Sequence, residues 1–166
     1  MKYKSISLKE VLGKKYLNQL TSEDKINWAV TELSNGYISD TVTILAGMNV
    51  FNNLLEIDRY FAQALLEKSD IKLEKEECIM EYVKSIVKQL SVKNNNYKEI
   101  IKLLDKIYVD SDYDQRFAIW SDIDSAIIDI ESGCYPYSYG KAYNNNIQDL
   151  IIEEAKAFLK NCGENI

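Results

Sequence analysis

Three cysteines, Cys78, Cys134 and Cys162, and a run of carboxylates between Asp105 and Glu131 are the side chains with most chemistry to offer, and the chain has no histidine to join them. That absence removes the commonest general acid–base, the Ser-His-Asp and Cys-His arrangements, and the commonest transition-metal ligand. The cysteines are odd in number, widely spaced and without a Cys-x-x-Cys pair. Such a pattern matches neither a disulfide framework nor a zinc site, and fits free thiols in a reducing compartment. Cys134 is the best remaining nucleophile, with Lys141 the one nearby cation that could stabilise its thiolate. The pairs Glu76-Glu77 and Glu153-Glu154 lack the Glu-x-x-His partners of carboxylate metal bundles. These residues predict no enzyme activity, no metal and no cofactor.

Asp110-Ser111-Asp112-Tyr113-Asp114 opens like a calcium loop, but Gln115 stands where the loop needs glycine and Ser121 where it needs a bidentate glutamate. An acidic helix start, with Asp112 or Asp114 as N-cap, is the better reading. The segment Leu33 to Ser39 joins two short helices through Gly36, as a helix-turn-helix would, yet Asp40 to Gly47 carries no lysine or arginine to meet a phosphate. A helical hairpin is therefore expected, and nucleic acid is not an expected partner.

Charge concentrates instead in one place. From Asp105 to Glu131 there are eight acids (Asp105, Asp110, Asp112, Asp114, Asp122, Asp124, Asp129 and Glu131) against Lys106 and Arg116, and eight minus two equals the net charge of -6 carried by the whole chain. Asp122 and Asp129, seven residues apart, share a helix face, as do Asp124 and Glu131. Just beyond lies Cys134 to Tyr143, where Tyr135, Tyr137, Tyr139 and Tyr143 crowd one loop. Tyrosine joins a large apolar face to a polar tip and is enriched at binding surfaces, although such rings can equally cover a helix stack. The candidate partner-binding residues are Asp112, Asp114, Asp122, Asp124, Asp129, Glu131, Tyr135, Tyr137 and Tyr139, and the partner they suit is a basic protein.

The elements that must position these residues read as helices. The chain has 166 residues, 46% of them hydrophobic and 28% charged, an ordinary balance for one globular domain spanning 1–166. Apolar residues recur at three- and four-residue spacing almost throughout, and Pro136 is the single proline. The pattern predicts about eight helices: Ser7 to Leu20, Thr21 to Gly36, Ser39 to Ala46, Leu54 to Lys68, Leu73 to Ser91, Tyr97 to Tyr108, Asp114 to Ser132 and Asn146 to Lys160. Leu8, Val11, Leu12, Lys15 and Leu17 are the expected inner side of the first, and Leu54, Ile57, Phe61, Leu65 and Leu66 of the fourth. Trp28 and Trp120 sit on apolar stripes and should be core, and Asn96 is the expected cap of the sixth helix. The fold class is all-α, an antiparallel helical bundle or a short α-solenoid of helical hairpins. No apolar run approaches the ~20 residues that span a bilayer, and Met1 to Ser5 is not followed by a signal-like apolar region, so a cytoplasmic protein without a membrane partner is expected.

The stretches Trp28 to Tyr37, Ile44-Leu45-Ala46-Gly47, Glu56 to Phe61 and Trp120 to Ile130, followed by Gly133 and Pro136, resemble small all-helical bacterial proteins of the polymorphic-toxin immunity or HEAT-like type. The resemblance rests on core and turn positions and carries over no site residue. It implies a non-catalytic binding domain, an immunity-type inhibitor that masks a basic toxin or enzyme with its acidic helix surface. The alternative is a structural or scaffolding helical module that self-associates as a homo-oligomer.

Overall fold

The computed structural model describes residues 4–51, 53–68, 72–142 and 146–164. Met1 to Tyr3 and Tyr143, which ends the tyrosine-rich loop, lie outside them. Among the described residues there are eight α-helices and no strand, so the chain is all-α. None of these helices is long and apolar enough to cross a membrane. The chain divides into two compact units, Met1–Tyr82 and Val83–Ile166.

The first unit contains α1 (Leu8–Tyr16), α2 (Ser22–Ser34), α3 (Asp40–Ala46), α4 (Leu54–Glu67) and the first part of α5 (Lys75–Val87). Short polar side chains start these helices by accepting orphan amide protons. Ser7 Oγ accepts from Glu10 N–H at 3.1 Å, and Ser39 Oγ accepts from Val42 N–H at 3.1 Å. Thr21 and Asp24 form a complete capping box, with Asp24 N–H donating to Thr21 Oγ1 and Thr21 N–H to the Asp24 carboxylate. After α2 the chain turns at Gly36, whose φ of +86° is the left-handed conformation that glycine adopts without strain.

Trp28 is the centre of this unit's core. It is fully buried beside Val42, Leu45 and Ile57, and meets Phe61 edge-to-face at 5.4 Å. Its indole N–H donates to Glu32 Oε1 at 3.0 Å. Glu32 is itself buried, and its other oxygen pairs with Lys68, whose ammonium lies 4.1 Å from the centre of the Tyr37 ring. A buried carboxylate is tolerable only when satisfied this way.

Two expectations about inner faces are corrected. Lys15 is exposed, and the inner side of α1 is carried by Glu10, Val11 and Gly13, with Leu17 buried just beyond the helix end. On α4 the inward arc is Ile57, Phe61 and Ala64, with Leu65 packed at its edge, while Leu54 and Leu66 are 60% and 73% exposed. Leu66 lies two residues past Ala64, about 200° around the helix, so it cannot share Ala64's face.

The second unit holds the end of α5, a 3₁₀ turn at Lys88–Leu90, α6 (Tyr97–Asp110), a 3₁₀ turn at Gln115–Phe117, α7 (Ala118–Glu131) and α8 (Ile147–Asn161). α6 packs along α7, and Ile101, Leu104, Ile107, Phe117, Trp120, Ile123, Ile151 and Leu159 are fully buried. Phe158 of α8 closes this core from the side, 5.7 Å from the Trp120 ring and 6.5 Å from Phe117. Asn96 stands at the N-cap of α6 without a side-chain cap bond. The turn before α6 is organised by Asn94, whose Oδ1 accepts from Asn96 N–H at 2.9 Å.

At Gly13 α1 lies close against α5: a Cβ there would fall 2.9 Å from Tyr82 Cβ and nearer still to the Cys78 carbonyl oxygen. Gly13→Ala should therefore lower unfolding free energy by about 1–3 kcal/mol through overpacking, outweighing the roughly 1 kcal/mol that alanine contributes to helix propensity. Urea denaturation measures the balance, and a rise in stability would rule out the close approach.

Candidate partner-binding surface

The acids foreseen as one surface lie on different parts of the second unit. α7 buries Trp120, Ile123, Ala126 and Ile127. With about 100° of rotation per residue, Asp122 and Asp129 flank that buried arc on one side, and Asp124 and Glu131 flank it on the other. Both stripes border the apolar face as expected, but they point about 160° apart and cannot touch one partner side chain together.

The Asp124 flank looks toward α6. Glu131 accepts from Lys98 Nζ at 2.5 Å, and that ammonium holds its carboxyl below the usual range. Asp124 is pushed the other way: burial raises its carboxyl, the Asp105 carboxylate on α6 adds to this, and Lys102 opposes it. Lys98 lies outside the acidic stretch, and nothing in the local pattern pairs it with a residue thirty-three positions later; packing of α6 on α7 does.

Asp112 and Asp114 belong to the turn between α6 and α7. Asp112 and Tyr113 take positive φ of 60° and 59°, held by Asp112 N–H on Val109 O, Tyr113 N–H on Tyr108 O and an edge-to-face Tyr108–Tyr113 pair at 5.4 Å. Asp114 caps the 3₁₀ turn that leads into α7, accepting from Arg116 N–H at 3.0 Å, while α7 itself has Phe117 at its N-cap and no side-chain cap bond. The Arg116 guanidinium also grips its carboxylate and holds the acid below its ordinary value. Asp114 is thus committed to its neighbour, while Asp112 is exposed and has no ion-pair partner among the described residues.

The tyrosine-rich loop is laid along the other flank of α7. Cys134 N–H bonds Asp129 O at 2.8 Å and Ser138 Oγ bonds Asp122 O at 3.1 Å. Within the loop the two readings of the tyrosines separate. Pro136 and Ala142 are buried, and Tyr139 is half-buried, its hydroxyl donating to Glu154 Oε1 at 2.7 Å. Burial and that carboxylate push the Tyr139 phenol well up. Tyr139 therefore fastens the loop to α8 and is not a free anchor. Tyr135 and Tyr137 face outward, Tyr137 being 86% exposed, and their rings meet edge-to-face at 4.9 Å. Tyr135 hydroxyl donates to Gly140 O at 3.3 Å, which fixes one ring of the pair.

Asp122 and Asp129 have no ion-pair partner among the described residues, and they share their flank with this exposed ring pair. Tyr135, Tyr137, Asp122 and Asp129 are the part of the expected set that the fold brings together. Of the thiols, Cys134 is exposed, while burial raises those of Cys78 and Cys162. Among the described residues no group of three or more cysteines or carboxylates could hold a metal ion. No family model, curated protein or solved structure matches the chain significantly.

Asp124 has a raised folded-state pKa, so its contribution to stability is fully present below the unfolded value and is lost as pH rises through the folded one. Its charge thus weighs against the fold at pH 7. Asp124→Asn should melt at a higher temperature than the parent at pH 7, and the difference should close as pH falls through the carboxylate range. Calorimetry across pH 3–7 checks this. Iodoacetamide labelling followed by mass spectrometry should modify Cys134 first, Cys162 more slowly, and Cys78 only on unfolding.

Proposed function

We propose that the chain is a non-catalytic binding protein for a basic protein, of the immunity-inhibitor kind, acting in the cytoplasm by covering a toxin's or enzyme's cationic active site. One observation carries this reading: the loop that bears the outward Tyr135–Tyr137 pair is bonded along the α7 flank whose two carboxylates have no cation partner among the described residues. Aromatic anchors ringed by charge are how many interfaces gain affinity and speed of encounter. Elsewhere on this unit Lys98 and Arg116 already neutralise Glu131 and Asp114. Partner attraction on this reading is concentrated at Asp122 and Asp129, with Asp112 a further free charge and Tyr139 a support for the loop. The absence of histidine leaves general acid–base work without its usual residue, which supports a role by occlusion.

The test is affinity capture from the native cell with the parent protein, an Asp122→Lys/Asp129→Lys variant and a Glu131→Lys control. The expected outcome is one basic protein, retained by the parent and the control, released at high salt, and lost with the double variant. Co-expression should then relieve the growth defect that this partner causes alone. Equal capture by the double variant, with its helical spectrum intact, would remove the reading.

A second reading, a self-associating helical module, is favoured by α4. Leu55 and Leu66 lie eleven residues apart, about three turns, and are 76% and 73% exposed, with Phe51 ahead of the helix 92% exposed. Light scattering behind size exclusion decides it: a concentration-dependent dimer abolished by Leu55→Glu/Leu66→Glu supports self-association, and a monomer at all concentrations dismisses it.

A further inference from the structure

We propose that a cleft in the first unit, formed by the end of α1, the start of α2 and the middle of α4, binds a small organic anion carrying an apolar ring or chain. The cleft has a volume of about 400 Å³, within the ~300–1,000 Å³ typical of small-molecule sites. Leu20, Phe61 and Ala62 form its apolar lining, and Lys15, Asn18, Lys25 and Asp58 its polar rim.

The rim favours an anion. Lys25 is largely buried, with 13% of its side chain exposed; it pairs with Asp58 at 2.5 Å and lies 5.9 Å from the centre of the Phe61 ring. This pair leaves its part of the rim neutral. Lys15 is exposed and has no ion-pair partner among the described residues, whereas its neighbour Lys14 is neutralised by Asp24 at 2.5 Å. The rim therefore carries two ammonium groups against one carboxylate, a local reversal in a chain of net charge -6. Asn18 ends α1 with φ of 54°, a conformation asparagine tolerates better than most residues, and its amide makes no side-chain hydrogen bond among the described residues. A carboxylate or sulfonate at this rim gains a charge-assisted bond from Lys15 and an amide donor from Asn18, while its apolar end covers Leu20 and Ala62. A cation of the same shape would face the surplus ammonium, and a neutral molecule would leave it unanswered.

Titration with 8-anilinonaphthalene-1-sulfonate, followed by fluorescence, tests the site in the intact chain. One saturable site is expected, displaced by decanoate and about ten-fold less well by decanol, the same chain without charge. Lys15→Glu should weaken dye affinity by about ten-fold or more. Ala62→Trp fills the cleft from an exposed helix position without altering charge and should abolish binding. Absence of saturable binding overturns the proposal. So does unchanged affinity in either variant with an intact helical spectrum, or displacement by decanol as effective as by decanoate. Should one variant fail to fold, the other and the decanol comparison still decide.

Discussion

The geometry of the candidate surface follows from one constraint: α7 must bury Trp120, Ile123, Ala126 and Ile127 in the core of its unit. A helix has a single rotational setting that puts those four side chains inside. Once it is adopted, Asp122 and Asp129 emerge on one flank and Asp124 and Glu131 on the other. The first pair is left beside a loop that offers aromatic rings, with no cation bonded to either carboxylate among the described residues. The second meets α6, where Lys98 and Lys102 answer it and Asp105 opposes it. Core packing thereby sorts chemically identical carboxylates into free and committed ones.

The same logic governs the loop from Cys134 to Ala142. Tyr139 gives its hydroxyl to Glu154, and Pro136 and Ala142 are buried. With those points fixed, Tyr135 and Tyr137 are held outward as a pair that can offer area without first being ordered. Rigid aromatic area loses little conformational entropy on binding, which is why the fastened half of the loop matters to the exposed half.

In the first unit the buried Glu32 plays an organising part of a different kind. It ties Trp28, the centre of the core, to Lys68 just past α4, and Lys68 in turn covers the Tyr37 ring. Removing Glu32 or Lys68 leaves a buried charge or an indole N–H unanswered, so the network specifies which end of α4 lies near which end of α2. α4 is also apolar on its outward side, at Leu55 and Leu66. Apolar spacing alone points Leu54 and Leu66 inward, because a helix that is apolar on two sides carries no internal mark of which side is the core.

The helices were written locally along the chain. Their starts were legible at Ser7, Thr21 and Ser39, and that of the 3₁₀ turn into α7 at Asp114, since a cap acts within three residues of its own helix, and the ends at Gly36 and Gly133 were legible because positive φ suits glycine. The burial of Trp28 and Trp120 was legible too, from stripes of apolar neighbours one turn away. Contacts between distant parts of the chain set the rest: which acids keep their charge free, that Lys15 faces solvent, and that Tyr139 is a fastener. The physical reason is reach. Caps and periodicity are short-range and written within a turn of the residue concerned. Ion pairs, inward faces and loop anchors depend on groups brought together from distant positions, and no local spacing records them.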